Sequence, residues 1–289
     1  MKALAEFIMA GRFKASLVAC LGNLLPIISP ATVGLVALRK SPGDTLVVSL
    51  WAVLPLLAML SVSEGRVSEA DSLMVWAALL SVVVVVAGAL VLRASRSWAQ
   101  ALLAIVGISA LMGLAIKVAL AAKLEAVRQA LLALFEQHGQ QAEVLEFSDL
   151  FLAGLLAWAI ALMVILAMLL ARWWQALLYN PGGFQIEFHA LRMQKGIAVF
   201  LLAGLTACYL LPQSYFTWGN LLGLPLFFSG LALVHHLVAF AQLGGHWLVI
   251  FYLALFMLAG PLNTVLVGLG FLDSMLDLRT RLAARKSRD

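Results

Sequence analysis

The run Leu73–Leu92 contains no charged residue and includes five consecutive valines. About 20 apolar residues are what an α-helix needs to cross the ~30 Å hydrocarbon core of a bilayer. Further apolar runs occupy Asp44–Leu60, Trp98–Leu120, Leu150–Ala171, Gly196–Leu211 and Leu221–Phe240. In hydrocarbon the backbone must satisfy its own polar groups, which leaves a helix bundle or a closed barrel. Continuous apolar runs without period-2 alternation exclude the barrel. The 289 residues are 64% hydrophobic and 11% charged, whereas ordinary globular chains are about 25% charged. The expected fold is all-α: a polytopic transmembrane helix bundle forming one domain over residues 1–289, with no linker or low-complexity segment.

Two further runs are broken. Ala15–Leu38 contains LGNLLPIISP, where Pro26 and Pro30 remove helix donors and Asn23, Ser29 and Thr32 place polar groups at membrane depth. Trp247–Leu272 is interrupted by Gly260-Pro261-Leu262-Asn263. Each is a kinked span or a pair of half-helices. Lys and Arg collect on the cytoplasmic side of membrane proteins. With Lys117 left out because it lies within a span, eight full spans put 11 basic residues inside and 7 outside. Re-entrant hairpins at both ends put 15 inside and 3 outside. The second arrangement obeys the rule better. It predicts about six full spans plus Pro-broken first and last segments, with both termini cytoplasmic in a bacterial inner membrane. Eight full spans is the alternative.

Outside the bilayer, two segments stand out. Residues 121–149 form a polar extension in which Leu124, Val127, Leu131 and Phe135 keep a helical stripe until His138-Gly139, with Glu143, Glu146 and Asp149 following. The loop before the Leu73–Leu92 run holds Glu64, Arg66, Glu69 and Asp71. Residues 172–195, RWWQALLYNPGGFQIEFHALRMQK, form a helix-turn segment. Trp173, Trp174 and Tyr179 suit a membrane–water boundary, and Asn180-Pro181-Gly182-Gly183 is a turn signal. Phe184, Phe188 and Leu191 then fall at i, i+4 and i+7 of an amphipathic interfacial helix. Residues 1–13 read as a short amphipathic lead-in with Leu4, Phe7, Ile8 and Gly11 on one face.

The net charge of +5 is distributed over span ends and the tail Arg279, Arg281, Arg285, Lys286 and Arg288, as topology requires, so nucleic acid is not an expected partner. Cys20 and Cys208 lie in separate apolar runs and imply no disulfide framework. Leu17-Val18-Ala19-Cys20 looks like a lipoprotein cleavage box, but only five apolar residues separate Lys14 from Cys20. The N-terminus is therefore expected to stay attached.

Candidate substrate-lining residues are Asn23, Ser29, Thr32, Lys117, His235, His236, Asn263 with Thr264, and Asp273. Lys117 either snorkels to the interface or pairs with a buried anion such as Asp273. His235 and His236 are adjacent, so they point ~100° apart and cannot chelate one metal neatly. They suit packing, a polar helix contact or a proton or substrate contact. Asp277 and Arg281 have the spacing of a helix ion pair. Phosphate-binding, zinc-protease and nucleophile-elbow motifs are missing, so neither enzymatic activity nor a metal or other cofactor is expected. If ATP is used, another chain must bind it.

The start MKALAEFIMAGRFKASLVA, the LLPIISP break, the central RWWQALLYNPGGFQIEFHALRMQKG and the end GFLDSMLDLRTRL together resemble the YybS-like family of bacterial inner-membrane proteins. That family is distantly similar to the substrate-capturing S components of energy-coupling-factor vitamin transporters. The resemblance implies a six-span bundle working with a membrane scaffold subunit and two ATPases. S components dock through an Ala-x-x-x-Ala face on their first helix. Ala15 and Ala19 fit that spacing, which also suits ordinary close packing. The expected function is transport-related substrate capture with partner membrane proteins or as a homo-oligomer in the lipid bilayer. The alternative is a non-transporting scaffold for envelope assembly or signalling. It would present Phe184, Glu187, Phe188, His189 and Arg192 of the central segment to a partner.

Overall fold

A computed structural model describes residues 1–62, 68–137 and 147–286. Glu64, Arg66, His138-Gly139, Glu143, Glu146 and Arg288, and the side chains of Arg285 and Lys286, lie outside what is described. Among the described residues all regular structure is helical. The helices are α1 (Lys2–Met9), α2 (Arg12–Leu21), α3 (Ile28–Arg39), α4 (Pro42–Val62), α5 (Glu69–Ser95), α6 (Trp98–Ala119) and α7 (Ala121–Gln137). They continue as α8 (Asp149–Tyr179), α9 (Gly183–His189), α10 (Lys195–Leu210), α11 (Phe216–Phe240), α12 (His246–Met257), α13 (Ala259–Leu276) and α14 (Leu278–Lys286). Among the described residues, six helices are long and apolar enough to cross a membrane: α4, α5, α6, α8, α11 and α13.

Local chemistry sets the helix starts. Ser68, Ser97 and Ser148 accept from the backbone N–H of Asp71, Gln100 and Phe151, the N-cap bonds that begin α5, α6 and α8. Ser41 and Asp44 cap α4 reciprocally: the Ser41 hydroxyl accepts from the Asp44 N–H while the Asp44 carboxylate accepts from the Ser41 N–H. Pro55 and Pro225 lie within α4 and α11, which continue through them.

The first run is a hairpin. Neither α2, with 10 residues, nor α3, with 12, spans a bilayer, since a helix rises ~1.5 Å per residue. Arg12 at the start of α2 pairs with Asp44 at the start of α4. Arg93 at the end of α5 donates to the carbonyl of Lys40 at 2.7 Å, just beyond α3. Both ends of the hairpin therefore lie at one end of the bundle, here the terminal end. Its tip reaches only halfway along α4, where Asn23 donates to the Ala52 carbonyl at 3.0 Å. This excludes the eight-span alternative for the first run.

From there the chain alternates. Lys123 pairs with Glu69 at 2.6 Å, and Trp218 Nε1 donates to the Leu150 carbonyl at 2.9 Å, at the distal end. Arg39 lies over the Tyr179 ring at 4.0 Å at the terminal end. At 31 residues, α8 is the axis against which α3, α5, α6 and α11 pack. The shorter α10, 16 residues, runs antiparallel to α11 towards Pro212. The last run is also a hairpin, but it breaks at Leu258 rather than at Gly260–Asn263. Pro261 sits in the first turn of α13, where no helix donor is needed. The returning arm α13 is a full-length helix with 18 residues.

Three other expectations change. The amphipathic helix after the turn stops at His189, and residues 191–194 are irregular. Trp174 is fully buried rather than at a lipid boundary. In the lead-in, Ala5 and Ile8 are buried while Phe7 is exposed.

The tightest helix contact is between α11 and α13. A Cβ on Gly230 would collide with the Leu266 carbonyl, and one on Gly270 with the Leu226 carbonyl. Glycine at both places lets two backbones touch. Gly270→Ala is expected to cost about 1–3 kcal/mol, as overpacking does, and to lower the melting temperature in detergent. Gly268→Ala, on the same helix with nothing within 4 Å of the added carbon, is expected to leave it unchanged.

Candidate functional site

Two cavities flank α11. The first, about 630 Å³, lies towards the terminal end between α8, α9, α11 and α12. Leu166, Trp173, Phe184, Phe188 and Phe228 make its apolar walls, and Gln185, His189, His235 and Tyr252 its polar points. His235 Nε2 and the Tyr252 hydroxyl share a hydrogen bond of 2.8 Å, which ties α12 to α11. The His189 ring lies 6.3 Å from that of His235 and 6.1 Å from that of His236. Burial holds the His189 imidazole below its usual pKa, assisted by the two neighbouring histidines and Arg279. This favours its neutral form, able both to donate and to accept.

The second cavity, about 1010 Å³, lies towards the distal end between α8, α10, α11 and the first half of α13, with Leu255 at the end of α12. Its polar lining includes Thr206, Tyr209, Asn220, Asn263 and Thr264. The Tyr209 hydroxyl donates to Asn220 Oδ1 at 2.6 Å. The cavities abut at mid-height. Leu162 lines the distal one and Leu166 the terminal one on α8; Phe227 and Phe228 divide them on α11. Those two rings sit edge to face, 5.3 Å apart, near the midpoint of α11.

The floor at the terminal end is fixed by charge. Arg172 makes a two-pronged pair with Glu187, folding α9 back onto α8 across the Asn180–Gly183 turn. Asp277 adopts a left-handed conformation (φ 49°) that ends α13 and turns the chain into α14. That turn brings Arg279 to the carbonyls of His189 and Leu191. Arg279 Nε lies 3.0 Å from Oδ2 of the fully buried Asp273, a charge contact off the hydrogen-bond axis. Asp273 Oδ1 accepts from the Leu278 N–H at 3.1 Å. Arg192 pairs with Asp277. The hydrogen bond from Thr280, with help from Arg192, holds the Asp277 carboxyl below its usual pKa in spite of desolvation.

These contacts revise several expectations. Asp273 pairs with Arg279, not Lys117, which lies near the distal end of α6. Asp277 pairs with Arg192 rather than with Arg281. Asn23, Ser29 and Thr32 line neither cavity. Asn23 donates to the carbonyls of Ala19, Cys20 and Ala52, Ser29 to that of Ala19, and Thr32 to that of Ile28. Ala15 and Ala19 are buried, and their helix packs against α4. Phe184 stacks with Phe188 and meets Trp98 edge-on. Asn263, Thr264 and His235 line cavities, and His236 lies beside His189.

Sequence reasoning did not single out Tyr209, Asn220, Gln185 or Tyr252. Tyr209 and Asn220 flank a Pro212 turn, a signal for facing side chains on an antiparallel pair. Among the described residues, no group of three His, Cys, Asp or Glu side chains could hold a metal ion. The site offers hydrogen-bonding points on aromatic walls, suited to binding. Compared with family models, curated proteins and solved structures, the chain matches none.

Removing one partner of a buried ion pair costs about 3–5 kcal/mol, whereas replacing both by apolar residues often restores stability. Asp273→Leu is therefore expected to lower the melting temperature sharply. Asp273→Leu with Arg279→Met is expected to recover only part of the loss, because the His189 and Leu191 carbonyls then lose the Arg279 donor. Full recovery in a thermal melt would reduce Arg279 to a counter-ion.

Proposed function

We propose that this multi-pass integral membrane protein is a transport-related subunit of the YybS-like kind, capturing a substrate in the manner of an S component. The observation that carries the reading is the pair of back-to-back cavities at mid-height, one towards each end, divided by Phe227 and Phe228. Pockets of this size with apolar walls and a few convergent polar groups are the usual form of small-molecule sites. Transporter sites lie near the bilayer midplane beside broken helices, and here the α12–α13 break borders the distal cavity. No residue of α12 is buried, so the wall shared by both cavities is the least anchored helix along them and suits a gate. A partner subunit supplies the energy, consistent with the missing nucleotide motifs.

The scaffold alternative draws less support. Phe184, Phe188, Glu187 and Arg192 are engaged with the chain's own helices, leaving chiefly Gln185 and Ile186 of α9 to face a partner.

Purified in mild detergent from its own membranes, the protein is expected to bring a second membrane subunit and an ATPase pair. It is also expected to carry a small molecule that mass spectrometry detects after denaturation. Thr264→Trp and Ala239→Trp, each filling one cavity, should abolish retention of that molecule while the protein stays folded. Recovery alone, with the same extract from all three proteins, would sink the reading.

The basic ledger of 15 against 3 supports a cytoplasmic terminal end. In a protein whose Cys20 and Cys208 are replaced by alanine, Ile186→Cys should resist an impermeant thiol reagent applied from outside, whereas Ala130→Cys reacts. The reverse pattern would invert the orientation.

A further inference from the structure

A third cavity, about 540 Å³, lies away from α8 and α11, between α4 and α5. The two helices touch towards the distal end, where Leu56, Val75 and Leu79 form a small cluster of their own. They part from Val53 back to Pro42, and α3 packs against both helices. The crevice runs from Pro42 to Val53 along α4 and from Arg93 to Leu79 along α5. At ~1.5 Å rise per residue this is roughly 16–21 Å long. One leaflet is half of the ~30 Å hydrocarbon core. The crevice therefore has the depth of a single acyl chain, with its mouth at the terminal end and its floor near mid-membrane.

Its walls are almost wholly apolar, including Leu46, Leu50, Val82, Val83 and Leu90. Arg93, at the mouth, is the one charged side chain lining it among the described residues. Arg93 is exposed, and Nη1 bonds the carbonyls of Ala37 and Lys40 at 3.2 and 2.7 Å. Nε and Nη2 keep their donors without a partner among the described residues. The nearby acid, Asp44, is engaged by Arg12 and Ser41. The mouth thus presents a positioned guanidinium fork at headgroup height with its local acid neutralised, and Arg binds phosphate through such forks.

We infer that the α4–α5 crevice is a binding site for one anionic phospholipid of the terminal-side leaflet. An acyl chain lies between α4 and α5, and the headgroup phosphate accepts hydrogen bonds from Arg93. Charge complementarity at the mouth and a length matched to one leaflet point to this occupant. The site is separate from the two cavities beside α11 and does not depend on their role.

The test is native mass spectrometry of the full protein, delipidated and then offered phosphatidylglycerol or phosphatidylcholine with identical acyl chains. The wild type is expected to retain phosphatidylglycerol about tenfold more tightly: both lipids carry a phosphate that Arg93 can bond, but the choline cation of phosphatidylcholine cancels the net negative charge that draws a headgroup to the basic mouth. Arg93→Gln should bring the two lipids to equal retention. Val83→Trp, at a side chain 55% exposed towards the crevice floor, should lose both lipids while remaining folded. Ala87→Trp, about one turn nearer the mouth, should do the same. Val199→Trp, on the exposed face of α10, should behave as wild type. Three results would each overturn the site: equal retention of the two lipids by the wild type, undiminished phosphatidylglycerol in Val83→Trp, or displacement of the lipid by millimolar inorganic phosphate. A wild-type dimer that Val83→Trp converts to monomer would make the crevice a contact between copies and overturn it as well.

Discussion

Hydrocarbon offers no hydrogen-bond partner, so wherever this chain breaks a helix at membrane depth the freed backbone groups must be answered from within. An unanswered amide or carbonyl in such surroundings costs several kcal/mol. The first hairpin meets that demand at its tip. The Asn23 amide serves the last carbonyls of α2 and reaches Ala52 on α4, while the Ser29 hydroxyl takes the Ala19 carbonyl from the other arm. The tip is thereby held at half the height of α4. With the tip fixed, α3 fills the interior, buried over almost its whole length, and α4, α5 and α8 close around it.

The second half of the chain is held differently. α11 and α13 meet through glycine, backbone against backbone. The terminal end of α13 is locked by the buried Asp273–Arg279 contact and by the His189 and Leu191 carbonyls that Arg279 bonds. α12 has neither device. It touches α11 chiefly through Tyr252 and His235. Cavities persist on both sides of that contact because nothing draws the helix inward. The α4–α5 crevice has a related origin: the pair is fastened to each other at its distal end, while at the terminal end α4 is tied to α2 by Arg12–Asp44 and α5 to the end of α3 by Arg93.

Much of this was legible from residue order. The apolar runs located the long helices, although α8 continues past Ala171 to Tyr179 and α11 begins at Phe216 rather than Leu221, and the basic asymmetry favoured hairpins at both ends over eight spans. Asn23, Ser29 and Thr32 were recognisable as polar groups needing a purpose at depth. Whether that purpose was a ligand or the chain's own backbone depended on what lay opposite, and Ala52 is 29 residues from Asn23. The Asp277–Arg281 pairing failed for a local reason. Helical spacing assumes a continuous helix, and the left-handed residue at 277 ends it, turning Arg279 back towards Asp273 and leaving Asp277 to Arg192.

The sequence by itself determined that this chain is a bundle of membrane-crossing helices with broken first and last segments, because hydrophobic length and proline act along the chain. Only the tertiary structure decided which polar groups were consumed in holding it and which were left facing a space. His189 reaches His235 and His236 because a turn at Asn180–Gly183 and an arginine from α14 set α9 against α11. Tyr209 and Asn220 meet because α10 folds back along α11. A cavity is packing that did not occur between elements distant in sequence, and that is settled by how the helices fit, not by any one of them.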